Sequence, residues 1–300
     1  MTQTTQPVVK PLGASDSSPA SNPQKQVLAG VKVMLMGDSG MGKTYSLATL
    51  AATGLQVRVL FLENGLESLL GYWADKGQKV PENVKYMRVI QDSSSLDRLL
   101  QQAKSTSTMS QESLAKAIDT QRSSSDFYTS LLKAMKNFVD QDGVDHGSVE
   151  SWGTDVVFCI DGLTGISDAV RSNVVGNKMM VALAEYPLMQ QLIYGMLTNL
   201  CNKAICHVVL LSHVEKETDQ INGGIRLYPA TSAGKALLPK MAIHFSDVIL
   251  ADWNPKLNHW AWSTIPSKAS CKTRNLPRGD DIKPDFKPII DKWKARANGA

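Results

Sequence analysis

The sequence predicts an α/β domain in which a mostly parallel central sheet is covered by helices on both faces. Three observations predict it. Gly37-Asp38-Ser39-Gly40-Met41-Gly42-Lys43-Thr44 fits the pattern G-x-x-x-x-G-K-[ST] at every fixed position. Continuous apolar runs of strand length alternate with segments of helical periodicity, as strands buried on both faces require. One of those runs, Val156 to Ile160, closes on Asp161 far downstream of the glycine loop.

Taken in order, residues 1 to 27 are rich in Thr, Gln, Ser and Pro and carry too little apolar periodicity to offset ordering entropy, so they are expected to be a disordered tail. Val31 to Met36 is the first strand, and Tyr45 to Ala52 a helix ending near Gly54. Gln56 to Glu63 is a second strand ending in an acid, Leu66 to Lys76 a helix, and Val84 to Ile90 a third strand. From about 93 to 153 Ser/Thr clusters separate short amphipathic helices, which reads as a helical insertion. One helix there, Asp126 to Asp140, aligns Phe127, Leu131, Met135 and Phe138 on one face, a stripe expected to serve local core rather than a partner. After the strand ending at Asp161, Met179 to Asn202 is a long helix that Pro187 should restart or kink. Cys206 to Ser212 is another buried strand, leading to His213. A polar loop with Gly223 and Gly224, a short helix from Ala233 to Met241, and a strand-like pair, Ser246 to Trp253 and His259 to Ile265, complete the domain at 28–265.

The glycine loop between strand and helix is a phosphate site by its chemistry. Its glycines let backbone N–H groups converge on an anion, and the helix start adds partial positive charge. Lys43 is placed to reach β- and γ-phosphates, and the Thr44 hydroxyl to ligate Mg2+; the nucleotide-binding stretch runs from Gly37 through Tyr45. A carboxylate at the end of a buried strand, Asp161, suits the same metal, directly or through water. The competing reading is a glycine-rich turn that merely contains Lys-Thr.

A 300-residue chain with 43% hydrophobic and 20% charged residues is ordinary for a soluble globular protein. The sequence shows neither an apolar run of membrane-span length nor the apolar segment of a signal peptide, so a cytoplasmic location is expected. Its four cysteines, Cys159, Cys201, Cys206 and Cys271, lack metal-site spacing and read as buried thiols. The net charge of +4 is uneven: in the segment 266–300 nine Lys/Arg face four Asp/Glu. That basic segment is either a solvated terminus or a phosphate-contacting element.

GDSGMGKT (37–44), FLENGLESL (61–69), VVFCIDGLTGIS (156–167), LLSHVEK (210–216), SAGKALLPKMAIHFSDVIL (232–250) and KTRNLP (272–277) together resemble RecA-like P-loop ATPases. Within that class they are similar to phage-encoded proteins of DNA recombination and single-strand annealing. The resemblance implies ATP and Mg2+ as cofactors, hydrolysis to ADP and phosphate, single-stranded DNA as partner, and a homo-oligomeric ring or filament in the host cytoplasm. It implies that Glu63 orients the attacking water, with Glu67 as its rival, and that His213 senses the γ-phosphate. It assigns DNA contacts to the loops 164–178 and 214–226, through Arg171, Lys178, Lys216 and Arg226. It makes Lys272 and Arg274 a K-x-R finger that reaches the phosphate site of a neighbouring subunit. Gly162 departs from the resemblance, since a serine often stands there. Two other classes fit the phosphate loop: a small-substrate kinase, and an ATP-gated partner-binding protein with little turnover.

Overall fold

The computed structural model describes residues 28–90, 126–176, 180–218, 224–267 and 269–299, with a few positions between 100 and 110. Residues 1–27, most of 91–125, and with them much of the expected insertion, lie outside the described residues, as do Lys178 and Gly223.

Seven strands form the central sheet: β1 (Lys32–Met36), β2 (Gln56–Phe61), β3 (Val84–Arg88), β4 (Val156–Asp161), β5 (His207–Ser212), β8 (Asp247–Asn254) and β9 (His259–Ser263). Their order is β3-β2-β4-β5-β1-β8-β9. All pairs are parallel except the last, where β9 returns antiparallel along β8. The fold class expected from the sequence is therefore the one observed.

Alternation along each buried strand splits the core into two layers. Val33 and Leu35 of β1 face one side with Val57, Val59, Val209 and Ile249. Met34 and Met36 face the other with Leu60, Phe158, Ile160, Val208 and Val248. The first layer is covered by α1 (Lys43–Leu47), which continues as a 3-10 turn to Thr53, by α2 (Leu66–Ala74), and by the C-terminal helix α6 (Lys287–Gly299). The second is covered by α3 (Phe127–Lys136), α4 (Leu163–Val175) and α5 (Glu185–Thr198). No helix among the described residues is long and apolar enough to cross a membrane.

Several local expectations change. The stretch 164–178, expected as a loop, is helical as far as Val175, because Leu163, Ile166, Ala169, Val170 and Val174 fall at helical spacing and are buried against the sheet. The described residues of the stretch 214–226 fall in an antiparallel pair, β6 (Val214–Thr218) and β7 (Ile225–Pro229), closed at its base where the Ala230 N–H donates to the His213 carbonyl at 2.8 Å. The expected helix 179–202 starts at Glu185, so Pro187 falls in its first turn, where a missing N–H costs nothing. The basic C-terminal segment is not a free tail. Phe286, Ile289, Ile290 and Trp293 are buried, each burial contributing about 1.5–3 kcal/mol, and Trp293 Nε1 donates to the Ala29 carbonyl at 2.9 Å. Phe127, Leu131 and Phe138 go to the core, while Met135 lines an adjacent cavity. All four cysteines are buried free thiols.

Candidate nucleotide site

The carboxyl ends of β1, β2, β4 and β5 meet at one cavity of about 520 Å3. Each strand delivers one part of it. The glycine loop leaves β1, its Gly37 N–H held by the Ser212 carbonyl of β5 at 3.1 Å, and lines the cavity from Ser39 through Tyr45. Glu63 follows β2, Asp161 ends β4, and His213 follows β5. Because parallel strands end together at one edge, residues far apart in the chain become neighbours there.

Lys43 is buried, and its ammonium donates to the Gly37 and Asp38 carbonyls at 2.8 Å each. Burial lowers its pKa, opposed by the facing charges of Asp161, Glu63 and Asp38. The Thr44 hydroxyl donates to Asp161 Oδ2 at 2.9 Å. Burial raises the Asp161 carboxyl to about 6, the Thr44 hydrogen bond opposes that shift, and the Glu63 charge adds to it. A hydroxyl and a carboxylate side by side are hard oxygen donors of the kind Mg2+ prefers. Among the described residues no group of three or more His, Cys, Asp or Glu could hold a metal unaided, so Mg2+ here would take its remaining ligands from phosphate and water.

Glu63 Oε2 meets His213 Nε2 at 3.2 Å, and its Oε1 is buried with no protein partner. Its place depends on Gly162. That residue has φ +123, and a Cβ built there would stand 2.8 Å from Glu63 Oε1. The glycine at this point thus has a steric reason, since a side chain would occupy the space the carboxylate fills. Glu67, the rival, lies in the first turn of α2, exposed at the rim of the same cavity.

The other expected residues are not brought here. Lys272 bridges to Val248, and the backbone N–H of Arg274 donates to Asp247 Oδ1 at 2.8 Å, as does that of Asn275 at 2.9 Å. Buried Asp247 also accepts from Thr273 Oγ1 at 2.9 Å and from Asn275 Nδ2. The triplet is thereby fixed at the amino end of β8, whereas the glycine loop leaves the carboxyl end of the parallel β1. Lys272 and Arg274 do not line this chain's own cavity. Arg171 is on α4, Lys216 is exposed on β6, and Arg226 on β7 lies 5.7 Å from the Tyr228 ring. Trp260 was not foreseen. It lines the cavity from β9, and no local pattern announces it, because only the strand order brings β9 beside the glycine loop.

A second cavity of about 1000 Å3 opens between α3 and α5, but its lining is mostly apolar and the converging charged groups are in the smaller one. The chemistry belongs to the smaller.

No protein-family model matches the chain, and no curated protein is significantly similar. Among solved structures, it is similar to the assembled ATPase EscN of the enteropathogenic E. coli type III secretion system in complex with its central stalk EscO. That likeness has a TM-score of 0.35 at 12% identity and covers 81% of this chain and 51% of the other. A second EscN structure gives 0.34 at 14% identity, covering 74% and 43%. The chain thus spans about half the length of the chains it matches or less, and the reading of its site rests on its own residues.

Proposed function

We propose that the protein is a Mg2+-dependent ATPase of RecA-like type that couples its nucleotide state to single-stranded DNA as a homo-oligomer. The observation that carries the hydrolytic reading is the meeting of Lys43, Thr44, Asp161 and Glu63 in one cavity, with a Glu63 oxygen buried and unpaired. The loop backbone and Lys43 bind the β- and γ-phosphates. Thr44 and Asp161 hold Mg2+, which neutralises phosphate charge when bound. Glu63 aligns a water and accepts its proton as the new oxygen–phosphorus bond forms and the bond from the γ-phosphorus to the bridging oxygen breaks. His213, paired with Glu63, stands one residue before β6, which supports the β6–β7 pair as the element that carries DNA coupling, through exposed Lys216. The Asp247-anchored triplet, remote from its own cavity, supports Lys272 and Arg274 acting in a neighbour's site. By the sequence resemblance, we read the setting as phage-type recombination in the cytoplasm of a bacterial host.

Phosphate release from MgATP with and without single-stranded DNA tests this reading. Glu63→Gln should bind ATP within about threefold of wild type and lose about 100-fold or more in turnover. Normal turnover in that variant would shift the role to Glu67. Arg274→Ala should bind ATP and lose on the order of 10³ in rate, with partial rescue on mixing with Lys43→Ala protein. Full activity of Arg274→Ala would remove the trans finger, and a rate indifferent to DNA would leave the ATP-gated partner reading.

A further inference from the structure

Two further cavities, which share no residue with the nucleotide cavity, adjoin each other between α5 and the amino end of β8. The first, of about 490 Å3, lies between α5, which supplies Tyr194, and the one-turn helix Leu238–Met241, which supplies Lys240. The second, of about 340 Å3, takes Lys272 and Arg274 from the Asp247-anchored triplet and Arg296 from the C-terminal helix α6. Ile243 lines both and is 69% exposed, and the Tyr194 ring meets His244 edge-on at 4.6 Å across the same boundary. Through these two contacts the cavities form one groove.

The chemistry of that groove is one-sided. Among the described residues no Asp or Glu lines either cavity. Nor does any of Lys240, Lys272, Arg274 and Arg296 pair with a carboxylate there, and Arg296 donates to the Asn275 side chain instead. Asp247 is buried and committed to the backbone N–H groups of Arg274 and Asn275 and to the Thr273 hydroxyl. Burial lowers the Lys272 pKa and the Arg274 charge lowers it further, against Asp247. Like charges held together with little counter-charge repel one another, and a polyanion laid across them relieves that repulsion. Among the cations stand the Tyr194 ring, 41% exposed, and Ile243, which a bare inorganic anion would leave uncovered.

We infer that this groove holds a single-stranded nucleic acid, with Lys240 and Arg296 on its phosphates and Tyr194 against the face of a base. A strand offers charge along its backbone and π-faces beside it, and cations flanking an aromatic ring answer both, with little regard to base identity. The β6–β7 pair supplies little of that affinity, because Glu215 and Glu217 flank Lys216 and nearby Lys235 is taken up by Glu217 at 2.7 Å. Binding here needs no nucleotide, since groove and nucleotide cavity have no residue in common.

Fluorescence anisotropy of a labelled oligothymidylate, without nucleotide and over a range of salt, compares wild type with Lys240→Ala, Arg296→Ala, their double variant, Tyr194→Ala and Tyr194→Phe. Lys272 and Arg274 stay wild type, because the trans reading gives them a second role. Two lost phosphate contacts should make the salt slope of the double variant shallower by about 1.4. Lys240 is exposed, so Lys240→Ala alone should still flatten the slope, by about 0.7, where loss of the Arg296 bond to Asn275 disturbs folding. Tyr194→Ala should weaken binding by about fivefold or more at unchanged slope, and Tyr194→Phe should keep it. Lys292→Ala removes an exposed cation of α6 that lines neither cavity, and should leave the slope as it is. A slope unchanged in Lys240→Ala and the double variant, or lowered equally by Lys292→Ala, would overturn the inference. Binding that Tyr194→Ala leaves intact would overturn it too, and polyglutamate displacing the strand at equal charge would then assign the groove to an acidic protein. So would wild-type protein that binds no oligothymidylate, a result that leaves ATP hydrolysis at the other cavity untouched.

Discussion

The molecule buries two lysines at opposite ends of the same central strand, and they behave differently. Lys32, at the start of β1, donates to the Ala204 and Cys206 carbonyls at 2.8 and 2.5 Å. Lys43, just past its end, donates to the Gly37 and Asp38 carbonyls. Burial lowers both pKa values. What distinguishes them is what opposes that shift and what lies in front. Opposing burial, Lys32 has only the thiols of Cys206 and Cys201, and Lys43 has three carboxylates. Lys43 also fronts the cavity shared by Asp161 and Glu63. A buried cation satisfied by carbonyls is thus a structural part of the sheet, and it becomes part of a site only where open volume and opposite charge converge on it.

If that contrast is right, variants at the carboxyl end should lose function and keep stability, and variants at the amino end the reverse. The largest effect belongs to Lys43→Ala, which should weaken ATP by about 100-fold or more, since the phosphates lose their main cationic partner. Its thermal midpoint should stay within about 2 °C of wild type. Titration calorimetry beside thermal melting checks both halves, and an Ala variant that binds ATP normally would erase the distinction.

Gly162→Ser sharpens the carboxyl end next. The side chain enters the space of Glu63 Oε1 and the backbone must hold φ +123 with a Cβ, so Glu63 is displaced from its place beside His213. Turnover should fall by about tenfold or more while ATP affinity changes little. A serine variant with wild-type turnover would mean that the catalytic carboxylate is not held by this contact.

At the amino end, Lys32→Met keeps the stem and deletes the donor. Two buried carbonyls lose their partner, which costs about 1–3 kcal/mol each, less the relief of no longer burying a charge. A net loss of about 2 kcal/mol in denaturant unfolding is expected, with ATP affinity intact. Unchanged stability would show that the two carbonyls find other partners.

The strands of the central sheet, though not their order within it, were legible in the sequence because their signals are local: a glycine loop between strand and helix, and apolar runs bounded by turns. That Lys43, Thr44, Asp161, Glu63 and His213 come together was legible because they stand at or just past the ends of β1, β4, β2 and β5, and parallel strands end together. The helical spacing of Leu163, Ile166, Val170 and Val174 is equally visible in the sequence, and their burial against the sheet makes a helix where the family resemblance implies a DNA loop. The β6–β7 pair hid behind its charges, Glu215, Lys216 and Glu217, which mask the alternation of a half-exposed ribbon. Trp260 was out of reach, because its place depends on strand order, which periodicity does not encode.

His207 lies at the same amino end, at the start of β5. The ring is fully buried. Nδ1 accepts from the Val31 N–H at 3.1 Å, so Nε2 carries the proton and donates to the Thr154 carbonyl at 3.1 Å. The Trp293 ring closes the site edge-on at 4.5 Å. Burial lowers the pKa from 6.5 to about 4, the hydrogen bond to Thr154 works against that, and the Lys32 and Lys294 charges add to it. A proton on Nδ1 would set donor against donor at Val31. The unfolded chain binds that proton near 6.5 and the folded chain only near 4, so between those values unfolding takes up a proton and stability falls as pH falls. The contribution is complete above about 6.5 and gone below about 4, a span worth about 3 kcal/mol. His207→Gln should be less stable at neutral pH yet lose less on acidification, and urea midpoints measured from pH 7.5 to 4.5 give the two slopes. Parallel slopes would mean that His207 takes up its proton at the same pH in the folded and the unfolded chain, so that burial beside the Lys32 and Lys294 charges does not hold the ring neutral.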